Sequence, residues 1–490
     1  MEKYILSIDA GTSSSRALII DKKGSIKGIS QFEFPQIFPK KGWVEHNPNE
    51  IWETQLKAIK EVLKKTKISP ERIHSLGITN QRETTVIWNK KTGEPVYNAI
   101  VWQDRRTAEI CDDLKKQNLE SIFQNKTGLL LDPYFSGTKI KWIFDNNPSL
   151  YILAKNNQLA FGTIDSWLIW KLTNGKQHVT DVTNASRTLI FNIKKLKWDQ
   201  ELIDLIGIPD NILPKVVSCS EHVGNTEKNI LGAEIPITGI AGDQQSSLFG
   251  QMCLEEGDIK NTYGTGCFCM MNTGEKIVKS KNRLLSTIAY QINNKTFYAI
   301  EGSIFTAGSL VQWLRDQLGI ISNSSEIESL ASTVKDSGGV TFIPALSGLG
   351  APYWNPKATG SILGITRGTE KGHIARAALE GIAIRTYEII QNMQKDANTQ
   401  FTNLKVDGGA SNNNLLMQIQ CNLIDANVIR PVITETTALG VGYLAGLGSG
   451  YWKSIEDLKN IWKHDRKFIP EISNKENILS KWKETINVLY

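Results

Sequence analysis

Alternation of apolar and polar positions opens the chain. Tyr4, Leu6 and Ile8 alternate with Ile5, Ser7 and Asp9, the two-residue period of a strand. A Gly-Thr-Ser turn leads into a second strand over Arg16–Asp21, and Lys22-Lys23-Gly24 turns the chain into a third over Ser25–Phe34. Three antiparallel strands are the expected start. The period then lengthens. Asn47 as cap, Pro48 in the first turn and Glu50 three residues after the cap begin a helix, and Trp52, Leu56, Ile59 and Leu63 give it one apolar stripe. Strands over Ile73–Thr79 and Thr85–Trp88 flank a short loop holding Arg82 and Glu83.

A similar pattern restarts past the middle. Asp258–Tyr263 and Cys267–Met271 read as strands around Gly264-Thr265-Gly266, followed by strands over Thr287–Ala289 and Phe297–Glu301. An Ala-rich helix spans Ile374–Met393, and Leu404–Val406 is a short strand ending at Asp407-Gly408-Gly409-Ala410. Each half therefore begins with a strand, a tight turn and a strand, the mark of a duplication. With 490 residues, the chain is too long for one core. We expect two α/β domains, 1–248 and 249–490, packed closely around a cleft because no low-complexity linker separates them.

Composition removes several function classes. The net charge of +6 is dispersed, with only short pairs such as Lys64-Lys65 and Lys115-Lys116, so a nucleic-acid partner is not expected. Six cysteines form no CxxC pair and the six histidines no HExxH, which leaves buried free thiols and no metalloenzyme motif. No apolar run reaches transmembrane length and the N-terminus lacks a signal-peptide core, so a cytoplasmic location without membrane insertion is expected.

The chemistry sits in the turns. Asp9 ends a strand ahead of Gly11-Thr12-Ser13-Ser14-Ser15-Arg16, a turn rich in backbone and hydroxyl donors that can approach phosphate. Alone it reads equally as a plain hairpin; no GxxxxGK[ST] occurs. Gly264-Thr265-Gly266 is an ordinary hairpin in isolation and a second phosphate clamp beside the first. Asp407-Gly408-Gly409-Ala410-Ser411-Asn412-Asn413 is a third acidic, Gly-rich turn, either a helix cap or a surface for a flat base with Asn413 hydrogen-bonding it. Arg82 and Glu83 pair a donor with an acceptor, which suits a hydroxylated ligand as well as a surface ion pair. Asp243, in Gly242-Asp243-Gln244-Gln245, is the candidate base for phosphoryl transfer to an alcohol and equally a helix cap. Trp102 and Phe268 are candidate apolar walls or plain core.

Taken together, these residues resemble the FGGY family of carbohydrate kinases nearly end to end. Tyr134-Phe135-Ser136-Gly137-Thr138-Lys139-Ile140-Lys141-Trp142-Ile143-Phe144-Asp145-Asn146 matches the family's first signature. Gly360–Ile365, His373-Ile374 and Ala377–Glu380 match the second. Asn80–Thr84, Val101–Thr107 and Ala241–Gln245 look like the branch acting on glycerol rather than the pentulose branch. The resemblance implies a two-domain actin/Hsp70/ribonuclease-H-like ATPase fold with ATP in the cleft. It also implies ATP-dependent, Mg2+-assisted phosphorylation of glycerol to sn-glycerol 3-phosphate. Arg82, Glu83, Tyr134, Asp243 and Gln244 would bind glycerol hydroxyls, with Trp102 and Phe268 beside its carbons and Asp243 catalytic. Thr12, Ser13, Ser14, Arg16 and Thr265 would contact phosphates; Gly308, Gln312, Gly409 and Asn413 would line the nucleotide pocket; Asp9 and Asp243 would face Mg2+. A homodimer or homotetramer is the expected assembly. The alternative is a kinase for another small polyol or ketose on the same fold.

Three departures stand out. Many relatives have Thr at Ser13 and a small residue at Asn412. In Asn225–Ile235, enterobacterial relatives carry a Gly-rich loop with an Arg used for fructose 1,6-bisphosphate inhibition, where this chain has Glu234. Some Gram-positive relatives carry a phosphorylatable His in that loop; the nearest here, His222, lies outside it. Neither mode of regulation is expected.

Overall fold

The computed structural model describes residues 2–355, 357–472 and 474–489. Strands β1 (Tyr4–Ala10), β2 (Ser14–Ile20) and β3 (Ile26–Glu33) form the expected antiparallel meander. Helix α1 (Pro48–Thr66) is capped by Asn47, whose side chain accepts from the Asn49 amide. Its buried face differs from the expected stripe. Ile51, Gln55, Ala58, Ile59 and Val62 are buried, while Trp52 and Leu56 lie at the edge. The face is rotated because Gln55 belongs in it: its Nε2 donates to the Arg16 carbonyl of β2 at 2.9 Å.

Beyond α1, β4 (Ile73–Asn80) pairs parallel to β1. Two later strands, β5 (Gly224–Asn225) and β6 (Pro236–Gly242), complete a six-stranded sheet in the order β5-β6-β4-β1-β2-β3. Register locates the chemistry. Ala10 of β1 lies level with Asn80 of β4, and Asn80 with Gly242 of β6. Three parallel strands thus end together, and the residues that follow are Gly11-Thr12, Gln81-Arg82-Glu83 and Asp243. The carboxyl ends of parallel strands are where α/β sheets place ligands.

The second half repeats this topology. β7 (Ile259–Tyr263), β8 (Cys267–Asn272), β9 (Leu285–Ile292) and β10 (Lys295–Ile304) pair antiparallel in the order β9-β10-β8-β7. β11 (Asn403–Asp407) pairs parallel to β7, and β12 (Asn427–Pro431) and β13 (His464–Phe468) follow it. Thr262 lies level with Asp407, so Gly264-Thr265 and Gly408-Gly409 emerge side by side.

Two short helices knit the halves. α2 (Asp243–Gly250) continues from β6 and rests Phe249 on Tyr290 of β9, ring centroids 5.3 Å apart. Later come α3 (Gly308–Asp316), α4 (Lys371–Ala397), α5 (Asn414–Ile424) and α6 (Thr436–Gly448). Although α6 belongs to the second half of the chain, it lies on the first sheet: a Cβ at Gly77 would stand 2.4 Å from the Val441 carbonyl. It also crosses α2 backbone to backbone. A Cβ on Gly440 would stand 1.8 Å from the Ser246 carbonyl, and one on Gly250 2.2 Å from that of Thr436. All six cysteines are buried and unpaired. Among the described residues no helix is long and apolar enough to cross a membrane.

Candidate active site

Arg82 and Glu83 are not a surface pair. They are 2% and 1% exposed. Neighbours in an extended chain point apart, but Glu83 adopts φ 62°, which bends the loop so that its Oε1 lies 3.7 Å from Arg82 Nε. Arg82 is held on every side. Its Nη1 and Nη2 donate to the two carboxylate oxygens of Glu301 at 2.6 and 2.9 Å, to Gln245 Oε1 at 3.2 Å and to the Tyr134 hydroxyl at 3.4 Å. Its Nε lies 3.1 Å from Asp243 Oδ1. Arg187 closes the network, donating from Nε to Glu83 Oε1 at 2.6 Å and from Nη2 to Glu301 Oε1 at 3.1 Å.

The charges adjust accordingly. Burial alone would raise the Glu301 carboxyl, but Arg187 and Arg82 outweigh it and hold it at about 2. Burial raises Glu83 against the opposing pull of the same two arginines. Asp243, first residue of α2, is also raised by burial; Arg82 pulls it down and the carboxylate of Asp9 pushes it further up. Its side chain keeps 28% exposure, unlike the sealed Arg82 and Glu301. It faces the cleft as the open end of a buried ionic cluster.

Aromatic rings wall this cluster. Trp102 meets Tyr134 and Phe268 edge-on, with centroids 5.7 and 5.9 Å apart. Trp102 Nε1 donates to Thr12 Oγ1 at 2.9 Å, which ties the wall to the turn after β1. In that turn the Gly11 amide donates to the Ser14 carbonyl at 2.9 Å, Ser13 is exposed and Ser14 Oγ accepts from Gln31 Nε2. Arg16 lies across β1–β2 from Asp9, its Nη1 4.0 Å from Asp9 Oδ2, and pairs with Glu435 at the start of α6. Burial raises Asp9 too, opposed by Arg16. The first turn, the buried acids and the aromatic wall thus share one cleft.

The second half supplies a cavity of about 460 Å³. Thr265, Gly308, Gln312, Gly409 and Asn413 all line it. Gly308 is sterically required: its amide donates to the Gly264 carbonyl at 2.9 Å, and a Cβ there would stand 2.5 Å from the same oxygen. Gly408, at φ 83°, packs on the Tyr263 backbone, whereas a Cβ on Gly409 would meet nothing within 4 Å. Asn413 serves twice. Its Oδ1 accepts from the Leu416 amide and caps α5, while its Nδ2 is buried without a partner beside the cavity.

For a metal, the described residues hold no cluster of three or more His, Cys, Asp or Glu side chains. The available donors are the carboxylates of Asp9 and Asp243, which repel one another. That pair suits a hydrated Mg2+, which prefers few carboxylates and keeps its waters.

The family models match this chain twice: the N-terminal domain of the FGGY family of carbohydrate kinases over residues 4–250 and its C-terminal domain over 259–449. The chain belongs to the FGGY family of carbohydrate kinases. Glycerol kinase 2 of Thermotoga maritima is 55% identical over 487 residues, 99% of this chain and 98% of the relative. The crystal structure of Plasmodium falciparum glycerol kinase with ADP superposes with a TM-score of 0.92 at 37% identity, covering 100% of this chain and 98% of that one. A gluconate kinase from Lactobacillus acidophilus, 24% identical with a TM-score of 0.89 over 100% and 98% of the two chains, shares the fold. The structure is the two-domain FGGY kinase fold.

Glu301, Arg187, Lys260 and Glu435 are absent from the sequence-derived set. The signal for two of them was present. Lys260 and Glu301 are charges within otherwise strand-like runs, Ile259–Tyr263 and Lys295–Ile304.

Proposed function

We propose that this chain transfers the γ-phosphoryl group of ATP to a terminal hydroxyl of glycerol, giving sn-glycerol 3-phosphate and ADP. The observation that carries this reading is the register of the first sheet. It aligns the Thr12 turn, the Arg82-Glu83 bend and Asp243 at three neighbouring strand ends, inside one aromatic wall. Near-full-length likeness to proteins named glycerol kinase supports glycerol over other acceptors.

Asp243 accepts the proton of the attacking hydroxyl. A carboxyl raised by burial is a better base near neutral pH, and Arg82 Nε at 3.1 Å favours its ionised form. Glu83 accepts from a polyol hydroxyl through the oxygen that Arg187 leaves open. Tyr134 and Gln244 complete the hydroxyl contacts, and Trp102 and Phe268 pack on the carbons. Thr12, Ser13, Ser14, Arg16 and Thr265 hold phosphate oxygens, and Gly308, Gln312, Gly409 and Asn413 hold the nucleoside. Asp9 and Asp243 would hold Mg2+, which when bound would neutralise charge on the transferring phosphoryl group. Closure of the cleft excludes water, which would otherwise compete as acceptor. Six buried, unpaired thiols fit a reducing compartment, and we place the enzyme in the cytoplasm.

The test is ADP release with ATP and Mg2+ against glycerol, other polyols, pentuloses and no acceptor. Release that depends on glycerol is expected. Equal turnover with and without glycerol removes the kinase reading, and preference for a pentulose redirects it.

A further inference from the structure

We propose that Lys260 is a positioning residue for the acceptor, holding the Gln244 amide so that Nε2 rather than Oε1 faces the polyol. The inference rests on the proposed role of Gln244 in binding glycerol. Lys260 lies on β7 with no exposed surface. Its Nζ donates to Gln244 Oε1 at 2.6 Å and to Thr262 Oγ1 at 2.7 Å. An ammonium has three donors and no acceptor, so only the oxygen of an amide can face it. The two N–H groups of Gln244 must then turn the other way. Among the described residues no atom accepts from Gln244 Nε2, although the residue is only 6% exposed and follows Asp243 directly. A hydroxyl lone pair in the cleft completes that donor.

The residue type matters. A serine or a second amide at position 260 would accept Gln244 in either orientation, because each both donates and accepts. A buried lysine admits one orientation only. Around it stand Asp407, Asp243 and Glu301, with Arg82 the like-charged neighbour. Such burial is costly for a lone ammonium, and two hydrogen bonds with three nearby carboxylates offset it. Gln244 lies on the junction helix α2 and Lys260 on the second sheet. The amide points correctly only while α2 sits against that sheet.

Lys260→Met, Gln244→Leu and the double variant are compared by ADP release, with KM measured separately for glycerol and ATP. Lys260→Met is expected to raise the glycerol KM about tenfold, the scale of one lost hydrogen bond, and to leave the ATP KM in place. In the Gln244→Leu background the same substitution adds nothing, because no amide remains to orient. An equal rise in both KM values, or full additivity in the double variant, overturns the proposal. Should Lys260→Met fail to fold, Gln244→Glu is read instead. It keeps one oxygen towards Lys260 and replaces the free donor by an acceptor, so the glycerol KM rises; an unchanged KM overturns the proposal. An unmodified enzyme without glycerol-dependent turnover is a separate result, which removes the proposed function and the positioning role with it.

Discussion

Arg82→Ala tests two roles of this guanidinium at once, the acceptor binding proposed for it and the organisation of the buried acids around it. The substitution removes the bidentate partner of Glu301, the 3.1 Å neighbour of Asp243 and the donor to Tyr134. Glu83 is not stranded, because Arg187 still donates to its Oε1 at 2.6 Å. Glu301 keeps Arg187 as its one arginine, with Ser303 Oγ donating to Oε1 at 3.3 Å. A carboxyl held at about 2 instead of its ordinary 4.5 stabilises the folded state by roughly 3 kcal/mol at neutral pH. The sign follows from depression: the contribution is full above pH 4.5 and is lost as pH falls towards 2. With one of two arginines gone the burial penalty stands against a weaker attraction, so most of that contribution disappears, on the order of 3 kcal/mol. Asp243 moves in the same direction. Without Arg82 its already raised carboxyl rises further, so less of it is ionised at a given pH. We therefore expect three changes: lower denaturant midpoint at neutral pH, a glycerol KM raised more than the ATP KM, and an acid limb of kcat/KM displaced to higher pH. Denaturant titration and initial-rate assays from pH 5.5 to 9, on a scale of about three pH units around neutrality, report all three. An acid limb that stays in place, with glycerol and ATP weakened alike, would show that Arg82 neither holds Asp243 nor serves the acceptor.

Asp243→Asn is expected to reduce turnover by about 10²–10⁴ while ADP still binds, since the amide keeps the shape and loses the basicity; turnover within a few-fold of the unmodified enzyme would remove Asp243 from the mechanism. Fructose 1,6-bisphosphate is expected to leave the glycerol-dependent rate unchanged. Glu234 and Glu227 both line the small cavity at this loop, and Lys176, its lysine, is paired with Glu227. Inhibition at sub-millimolar bisphosphate that vanished on mutating Glu234 would refute this.

What the sequence made legible was local. The β1–β2 turn, the Arg82-Glu83 bend and the Asp243 helix start are short contiguous motifs, and each carries its chemistry within a few residues. Arg82 and Glu301, by contrast, stand 219 residues apart, and no periodicity connects them. A glutamate in a strand reads as the solvent face until the opposite wall is known, and Glu301 ends the run Phe297–Glu301 that the pattern predicts, whereas β10 continues to Ile304. The stripe of α1 was misplaced for a related reason, since Gln55 is a polar residue on a buried face. α6 escaped altogether. Its residues are buried nearly all round, so it has no polar face to set a period, and its glycines are explained only by the helix it crosses.

Arg187 and Glu301, which no sequence motif marks, share a physical character with Arg82 and Glu83 that bears on why all four are there. Arg82, Arg187, Glu83 and Glu301 form a four-membered ionic network that is at most 2% exposed. Desolvation consumes most of the Coulombic gain of such a network, and apolar side chains of similar volume often stabilise as well or better. Stability alone therefore does not account for it. Orientation does: each member fixes another that reaches the cleft, Arg187 leaving one oxygen of Glu83 open and Glu301 locking the fork of Arg82 whose Nε meets Asp243. The network also crosses between halves, with Glu301 on the second sheet and its arginines in the first half of the chain. The geometry of Asp243 then depends on the halves remaining docked, which ties one strand end of the first sheet to the fold as a whole.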